Sequence, residues 1–378
     1  IAEVSSGMVA AGYHTSVVVL MDEDRAKVET AARQIEKSIN GLGFAARVET
    51  INTMDAFIGS LPGHGVENVR RPLINTMNLA DLLPTSTIWT GEPQAPCPMY
   101  PPFSPPLTHC ITSGNSPFRL NLHVGDLGHT MMFGPTGAGK STHLALLAAQ
   151  LRRYKGMNIF AFDKGLSMYP ICRAARGRHY SVAADDETLA FCPLQYLETK
   201  TDRAWAMEWI DTLLALNRLD TTPAQRNEIA NTILNMHATG SKMLSDFAAS
   251  IQDKEIREAL KQYTVEGMMG HLLDAREDGL SMSDFMVFEI EELMGLGEKY
   301  ALPVLLYIFR RIERSLLGQP AAIILDEAWL MLGHPAFREK IREWLKVMRK
   351  ANCIVIMATQ SLTDAERSGI LDVIVEST

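Results

Sequence analysis

Along this chain the spacing of apolar positions changes several times, and each change predicts an element. Residues 13–22, YHTSVVVLMD, are rich in β-branched side chains and read as a strand. The next stretch, EDRAKVETAARQIEKSINGLG, sets Val28, Ala31, Ala32, Ile35 and Ile39 at helical spacing and closes on glycine. FAARVETIN returns to a strand pattern, giving a β-α-β unit within a small α+β domain. No cluster of catalytic residue types lies in it, so its expected role is structural or in docking.

From residue 116 a second pattern begins. FRLNLHVGD and GHTMMFG read as short strands, and STHLALLAAQLRRYKG as a helix with Leu144, Leu147, Ala148 and Leu151 on one face. MNIFAFDKG is the next strand. Residues 201–283 are then almost wholly helical in pattern. One helix starts at a capping box, Thr222 with Gln225, and has Pro223 at its first position. Strand FMVFEI, helix PVLLYIFRRIERSLLG, strand AAIILDEAW, helix PAFREKIREWLKVMRKAN and strand CIVIMATQS follow. Strands alternating with helices predict a parallel sheet covered on both faces.

Between the two patterns, residues 92–106 hold seven prolines in fifteen positions, too few backbone donors for a sheet. They read as an extended linker. The expected organisation is therefore an α+β domain over 1–85, a linker over 86–115, and an α/β core in two segments, 116–200 and 284–378. An all-helical insertion over 201–283 separates those segments. The chain starts at Ile1 and ends on LDVIVEST, which reads as a strand and as a piece of a longer protein.

Composition narrows the classes. A net charge of −8 argues against a surface that grips polyanions everywhere, leaving room for a local basic patch or pore. The five cysteines show no CxxC pair, which suits a reducing compartment. No apolar run reaches the ~18 residues a membrane span needs, so attachment to a membrane is expected through partners.

The chemistry concentrates in three places. Gly134, Pro135, Thr136, Gly137, Ala138, Gly139, Lys140 and Ser141 fit G-x-x-x-x-G-K-[ST] between a strand and a helix, with Thr142 continuing the helix. Glycines let the backbone curl so that successive N–H groups face phosphate oxygens. Lys140 reaches the β- and γ-phosphates of ATP, the Ser141 hydroxyl ligates Mg²⁺, and the helix start adds its positive dipole end. Second, AIILDEAW carries Asp326 and Glu327 out of an apolar strand, where open parallel sheets bind ligands. Asp326 is expected to hold Mg²⁺, and Glu327 to polarise the attacking water, which favours an ATPase over a kinase. Third, IVIMATQS ends in Thr359, Gln360 and Ser361, and Gln360 is the candidate sensor of γ-phosphate and water.

Other features read more plainly. Arg310, Arg311 and Arg314 of RRIER form a solvated helix face, EIEELMGLGEK a solvated helix start, and Trp205 with Trp209 helix core. Arg349 complements a helix dipole; its alternative role is an arginine finger.

HVGDLGHTMMFGPTGAGKSTHLALLAAQLRRY, IFAFDKG, FCPLQ, FEIEEL, ILDEAWLML and MRKANCIVIMATQS, in this order, resemble the large ATPase of type IV secretion and conjugal transfer systems. The TrbE/CagE branch is the look-alike, over nearly the whole chain. The resemblance implies a RecA-like P-loop core with an all-helical insertion, ATP and Mg²⁺ as ligands, and a dimer or hexamer. It places the protein in the cytoplasm, peripheral at the inner face of the bacterial inner membrane. The implied partners are an inner-membrane channel, pilus subunits and other secretion ATPases. By position it carries phosphate binding to residues 134–142, the acidic pair to Asp326 and Glu327, and the sensor to Gln360. Asp163 and Lys164 match a family motif without an assigned role. The expected function is an ATPase that energises assembly of, and transfer through, a secretion apparatus. The alternatives are a nucleic-acid translocase with the same core, binding DNA directly, and a nucleotide-regulated scaffold that does not turn over.

Overall fold

The computed structural model describes residues 7–64, 66, 67, 69–83, 89–184, 189–327, 335–360, 366, 369 and 371–378. They fall into two units, Ile1–Ile88 and Trp89–Thr378.

In the first unit β1 (Ala11–Tyr13) pairs antiparallel with β2 (Leu73–Asn75), Gly12 facing Ile74. The expected helix forms over Arg25–Gly41, started by the Asp24 carboxylate accepting from Ala26 N–H. The β-α-β expectation is corrected: the strand stops at Tyr13, and 44–52 form no strand. β-Branched sequence becomes a ladder only where a neighbouring strand takes its backbone hydrogen bonds, and of the described residues before the helix only 11–13 have one.

The second unit is built on a parallel six-stranded sheet. Its strands are β5 (Thr130–Phe133), β6 (Asn158–Asp163), β7 (Arg178–Ser181), β8 (Phe285–Glu289), β9 (Ala321–Leu325) and β10 (Cys353–Thr359), in the order β5-β10-β9-β6-β8-β7. A hairpin of β3 (Thr108–Ile111) and β4 (Pro117–Leu120) precedes it. The central strands are buried on both faces, which is why they read as unbroken apolar runs. Alternate residues go to opposite layers. Ala161, Ala322, Ile324, Ile356 and Ala358 pack with the helix Lys140–Leu151, while Phe160, Phe162, Ile323, Leu325 and Met357 pack with the helical insertion and helix Glu298–Ser315. This is a RecA-like α/β core with helices on both faces.

The insertion runs through helices Lys200–Leu216, Pro223–Thr239, Leu244–Ser250, Lys254–Leu260 and Gly270–Leu273. Its capping box forms as expected: Thr222 Oγ1 accepts from Gln225 N–H at 3.3 Å and Gln225 Oε1 from Thr222 N–H at 2.9 Å. Pro303, inside helix Glu298–Ser315, cannot donate to Lys299 C=O, and the Tyr263 hydroxyl donates there instead at 3.0 Å. Trp209 Nε1 donates to Pro303 C=O at 3.0 Å, so the insertion is stitched to the core at the proline.

The arginines of RRIER are not a solvated face. Arg310 and Arg314 both pair with buried Asp202, and Arg311 pairs with buried Asp278. Carboxylates from the insertion and from its return to the sheet meet them, a long-range contact that local sequence does not announce.

The proline-rich stretch lies on the core rather than standing off as a free spacer. Cys97, Tyr100 and Leu107 are buried, and Arg153, Tyr154 and Asn352 donate to the carbonyls of Leu107, Pro105 and Met99. Proline carbonyls remain acceptors even though the ring nitrogen cannot donate. The chain end, read as a strand, is a helix over Leu371–Ser377. Among the described residues no helix is long and apolar enough to cross a membrane.

Candidate nucleotide site

Five neighbouring strands deliver functional groups to one edge of the sheet, the edge formed by their C-terminal ends. In sheet order these are the glycine-rich loop after β5, Gln360 after β10, Asp326 and Glu327 after β9, Asp163 at the end of β6, and Glu289 at the end of β8.

The loop leaves β5 with Gly134 N–H donating to Thr359 C=O at 3.2 Å, which docks its first residue on the neighbouring strand. Gly137 (φ 80°) and Gly139 (φ 87°) take left-handed conformations that a side chain would strain, and Gly139 caps the helix Lys140–Leu151. At Gly134 a Cβ would meet Ala138 Cβ at 3.4 Å and Lys140 Cγ at 3.5 Å, so the turn is closed around the lysine stem. Pro135, Thr136, Gly137, Ala138 and Gly139 form an exposed crest, with Thr142 exposed on the first helical turn. Lys140 is buried, its ammonium donating to the carbonyls of Gly134 (2.9 Å) and Pro135 (3.3 Å). The cation is thus folded under its own loop, beside the crest that phosphate would occupy.

Ser141 Oγ donates to Asp326 Oδ2 at 2.7 Å, which joins the first two sequence motifs. Asp326 is held by its backbone, N–H to Phe162 C=O at 3.0 Å, and by Glu327 N–H donating to Oδ1 at 3.0 Å. Burial pushes the Asp326 carboxyl above its ordinary range, with Ser141 opposing and Asp163 adding to the rise. Burial likewise raises Asp163, against the hydrogen bonds from Ser167 and Met168. Two buried acids on adjacent strands favour the arrival of a cation, and a serine hydroxyl with one carboxylate is a fitting donor set for Mg²⁺ that also binds phosphate oxygens.

Glu327 sits at φ 52°, an unusual conformation for a side-chain-bearing residue, which turns it sharply off the end of β9. Gln360 Nε2 lies 3.3 Å from both Glu327 carboxylate oxygens. The structure thereby brings Lys140, Ser141, Asp326, Glu327 and Gln360 to one edge; Ser361 lies outside the described residues. Arg349 does not join them. It precedes β10, at the opposite edge of the sheet, where its Nε pairs with Asp126 at 2.7 Å.

Sequence reasoning underread two groups. Glu289, in the stretch read as a solvated helix start, is buried and accepts from Gly165, Leu166 and Glu291 N–H. Ser167 lies outside every motif above, yet it contacts Asp163 and Asp326. A signal existed: IFAFD, FMVFE and IILD are three apolar strands that each end in an acid.

A glycine-rich phosphate loop between strand and helix, faced by an acidic pair from the same sheet edge, defines a P-loop nucleotide-binding protein of the RecA-like kind. Residues 1–70 match the CagE, TrbE, VirB family, component of type IV transporter system, and residues 238–377 match the TraG P-loop domain. The chain thus carries a CagE/TrbE/VirB family domain and a TraG P-loop domain. Over 381 residues it is 56% identical to a probable conjugal transfer protein TrbE of Sinorhizobium fredii (strain NBRC 101917 / NGR234), covering 100% of this chain and 57% of that protein. It is also 56% identical to the "Conjugal transfer protein TrbE" of Rhizobium radiobacter, covering 100% of this chain and 47% of that one. The chain therefore spans about half the length of these curated relatives. Among solved structures, VirB4 of Thermoanaerobacter pseudethanolicus superposes with a TM-score of 0.55 over 71% of this chain and 79% of that one, at 16% identity, a likeness of fold.

Proposed function

We propose that the protein hydrolyses ATP to energise assembly of, and transfer through, a conjugal type IV secretion apparatus. The observation that carries the hydrolytic step is the Glu327–Gln360 pair beside the Ser141–Asp326 contact. A kinase needs no second carboxylate poised for water, whereas an ATPase does. The conjugal role is supported by the likeness to TrbE proteins along the whole of this chain.

On this reading residues 134–142 cradle the phosphates, with Lys140 leaving its loop carbonyls to meet them. Ser141 and Asp326 hold Mg²⁺, which neutralises phosphate charge when bound. Glu327 takes a proton from the attacking water, and Gln360 orients Glu327 through its amide. Arg349, far from its own loop, acts on the nucleotide of a neighbouring copy in a ring or dimer. The first unit and the helical insertion serve to dock channel, pilus and other ATPase components. The protein works in the cytoplasm at the inner face of the inner membrane, reaching it through those partners. The net charge of −8 favours protein handling over a DNA-gripping motor.

A mating assay tests the proposal. In donor cells whose own copy is replaced by the Glu327→Gln protein, plasmid transfer is expected to fall by orders of magnitude while the protein accumulates normally. Transfer at the unaltered frequency would remove hydrolysis from the account.

A further inference from the structure

The residues beside the nucleotide site that no role yet covers are Asp163 and Ser167. β6 and β9 are neighbours in register, Phe162 opposite Leu325, so Asp163 and Asp326 leave the sheet side by side, both buried. Asp163 uses its two oxygens differently: Oδ2 accepts from Met168 N–H at 2.7 Å, and Oδ1 from Ser167 Oγ at 2.5 Å. Ser167 Oγ is also 3.5 Å from Asp326 Oδ2, the oxygen that Ser141 contacts from the other side.

The turn that carries Ser167 is unusually well fixed. Gly165 (φ 84°) and Leu166 (φ 59°) are both left-handed, and the Glu289 carboxylate accepts both of their N–H groups, at 3.2 and 2.6 Å. Leu166 remains half exposed, so packing does not hold this conformation; the buried carboxylate does. A turn needed only to start the helix Tyr169–Ala174 is satisfied by the bond to Met168 N–H. The second bond, from Ser167, does something else: it aims a hydroxyl at Asp326.

We propose that Ser167, aimed by Asp163, is a positioning residue for the Asp326 carboxylate, keeping Oδ2 turned towards Ser141 and the metal-holding corner of the site. This rests on the reading of Ser141 and Asp326 as the Mg²⁺ ligands. A hydroxyl proton moves between Asp163 Oδ1 and Asp326 Oδ2 by rotation about one bond, without displacing a heavy atom. Ser167 therefore steadies Asp326 from the side that Ser141 does not reach. Glu289 fixes the turn, Asp163 aims the hydroxyl, and Asp326 receives it.

The test is equilibrium binding of a fluorescent ADP to the whole protein, in Mg²⁺ and in EDTA, with thermal melting alongside. Ser167→Ala is expected to lower the Mg²⁺-dependent gain in affinity about three- to tenfold, the worth of one polar contact. Affinity in EDTA is expected to stay within about twofold, and Ser167→Thr to restore the gain. Asp163→Asn, which keeps an acceptor for Met168 N–H, is expected to move the gain in the same direction. An undiminished gain in Ser167→Ala would overturn the proposal, as would an equal loss with and without Mg²⁺, which marks a turn that merely shapes the loop. If the unsubstituted protein itself shows no Mg²⁺ gain, the metal reading fails first and the positioning role falls with it.

Discussion

The hydroxyl of Ser141 and the carboxylate of Asp326 meet at 2.7 Å although 185 positions separate them. The helical insertion lies within that interval, so the site forms only when both segments of the sheet have assembled around it. Asp326→Asn is expected to keep nucleotide binding in EDTA and to lose most of the Mg²⁺-dependent increment, since an amide is a poor ligand for a hard cation. Calorimetric titration of ADP with and without Mg²⁺ checks this.

Lys140 is the buried cation of the loop and has only carbonyl partners there, at 2.9 and 3.3 Å. Lys140→Ala is expected to weaken ATP binding by more than tenfold, above ~1.4 kcal/mol, because charge-assisted contacts to phosphate are lost. Its far-ultraviolet circular dichroism should be unchanged. Unaltered affinity with a normal spectrum would remove the loop from the site.

The insertion's polar anchors carry different weights from the surface pair at Arg349. Asp278 is buried and receives Arg311, the Tyr307 hydroxyl at 2.8 Å and Gln195 Nε2 at 3.0 Å. Asp278→Ala strands a largely buried guanidinium and is expected to cost about 3 kcal/mol. Asp126→Ala, at the exposed Arg349 pair, is expected to change stability by less than about 1 kcal/mol. Urea denaturation of the two variants checks the ranking.

Two histidines predict how stability follows pH. Burial lowers His123 and His129 to about 4 from an ordinary 6.5, so both are neutral in the fold near neutrality. His129 Nδ1 accepts from Val355 N–H at 2.9 Å, which also needs the unprotonated nitrogen. Below pH 6.5 the unfolded chain binds protons that the folded chain refuses, so stability present at neutral pH is lost as pH falls towards 4. The limiting slope is about 1.4 kcal/mol per pH unit for each histidine. Urea midpoints from about pH 7.5 to about pH 5 should decline, and His129→Asn, which keeps an acceptor for Val355, should decline less steeply.

Much of this architecture was legible because buried parallel strands leave continuous apolar runs: IFAF, FMVF, AIIL and IVIM each form a strand. The loop and acidic pair were legible as local motifs. What escaped depends on contacts between distant segments. VVVL at 17–20 has strand-forming residues but no ladder partner among the described residues. β7, with the polar sequence Arg178–Ser181, is a strand because β8 pairs with it, not because of its own pattern. Arg310, Arg311 and Arg314 looked solvated because their acids, Asp202 and Asp278, lie far away in sequence. Ser167 gains its meaning only from β6 and β9 being neighbours.

The most direct measurement is ATP turnover by the protein and its Glu327→Gln variant, each with and without DNA and across a range of salt. Turnover that is lost in the variant while ATP stays bound, and that is indifferent to DNA, is the expected result for an ATPase serving secretion machinery. Turnover unchanged in the variant would contradict the assignment of Glu327 and the hydrolytic site built around it, and strong salt-sensitive stimulation by DNA would contradict the protein-handling role.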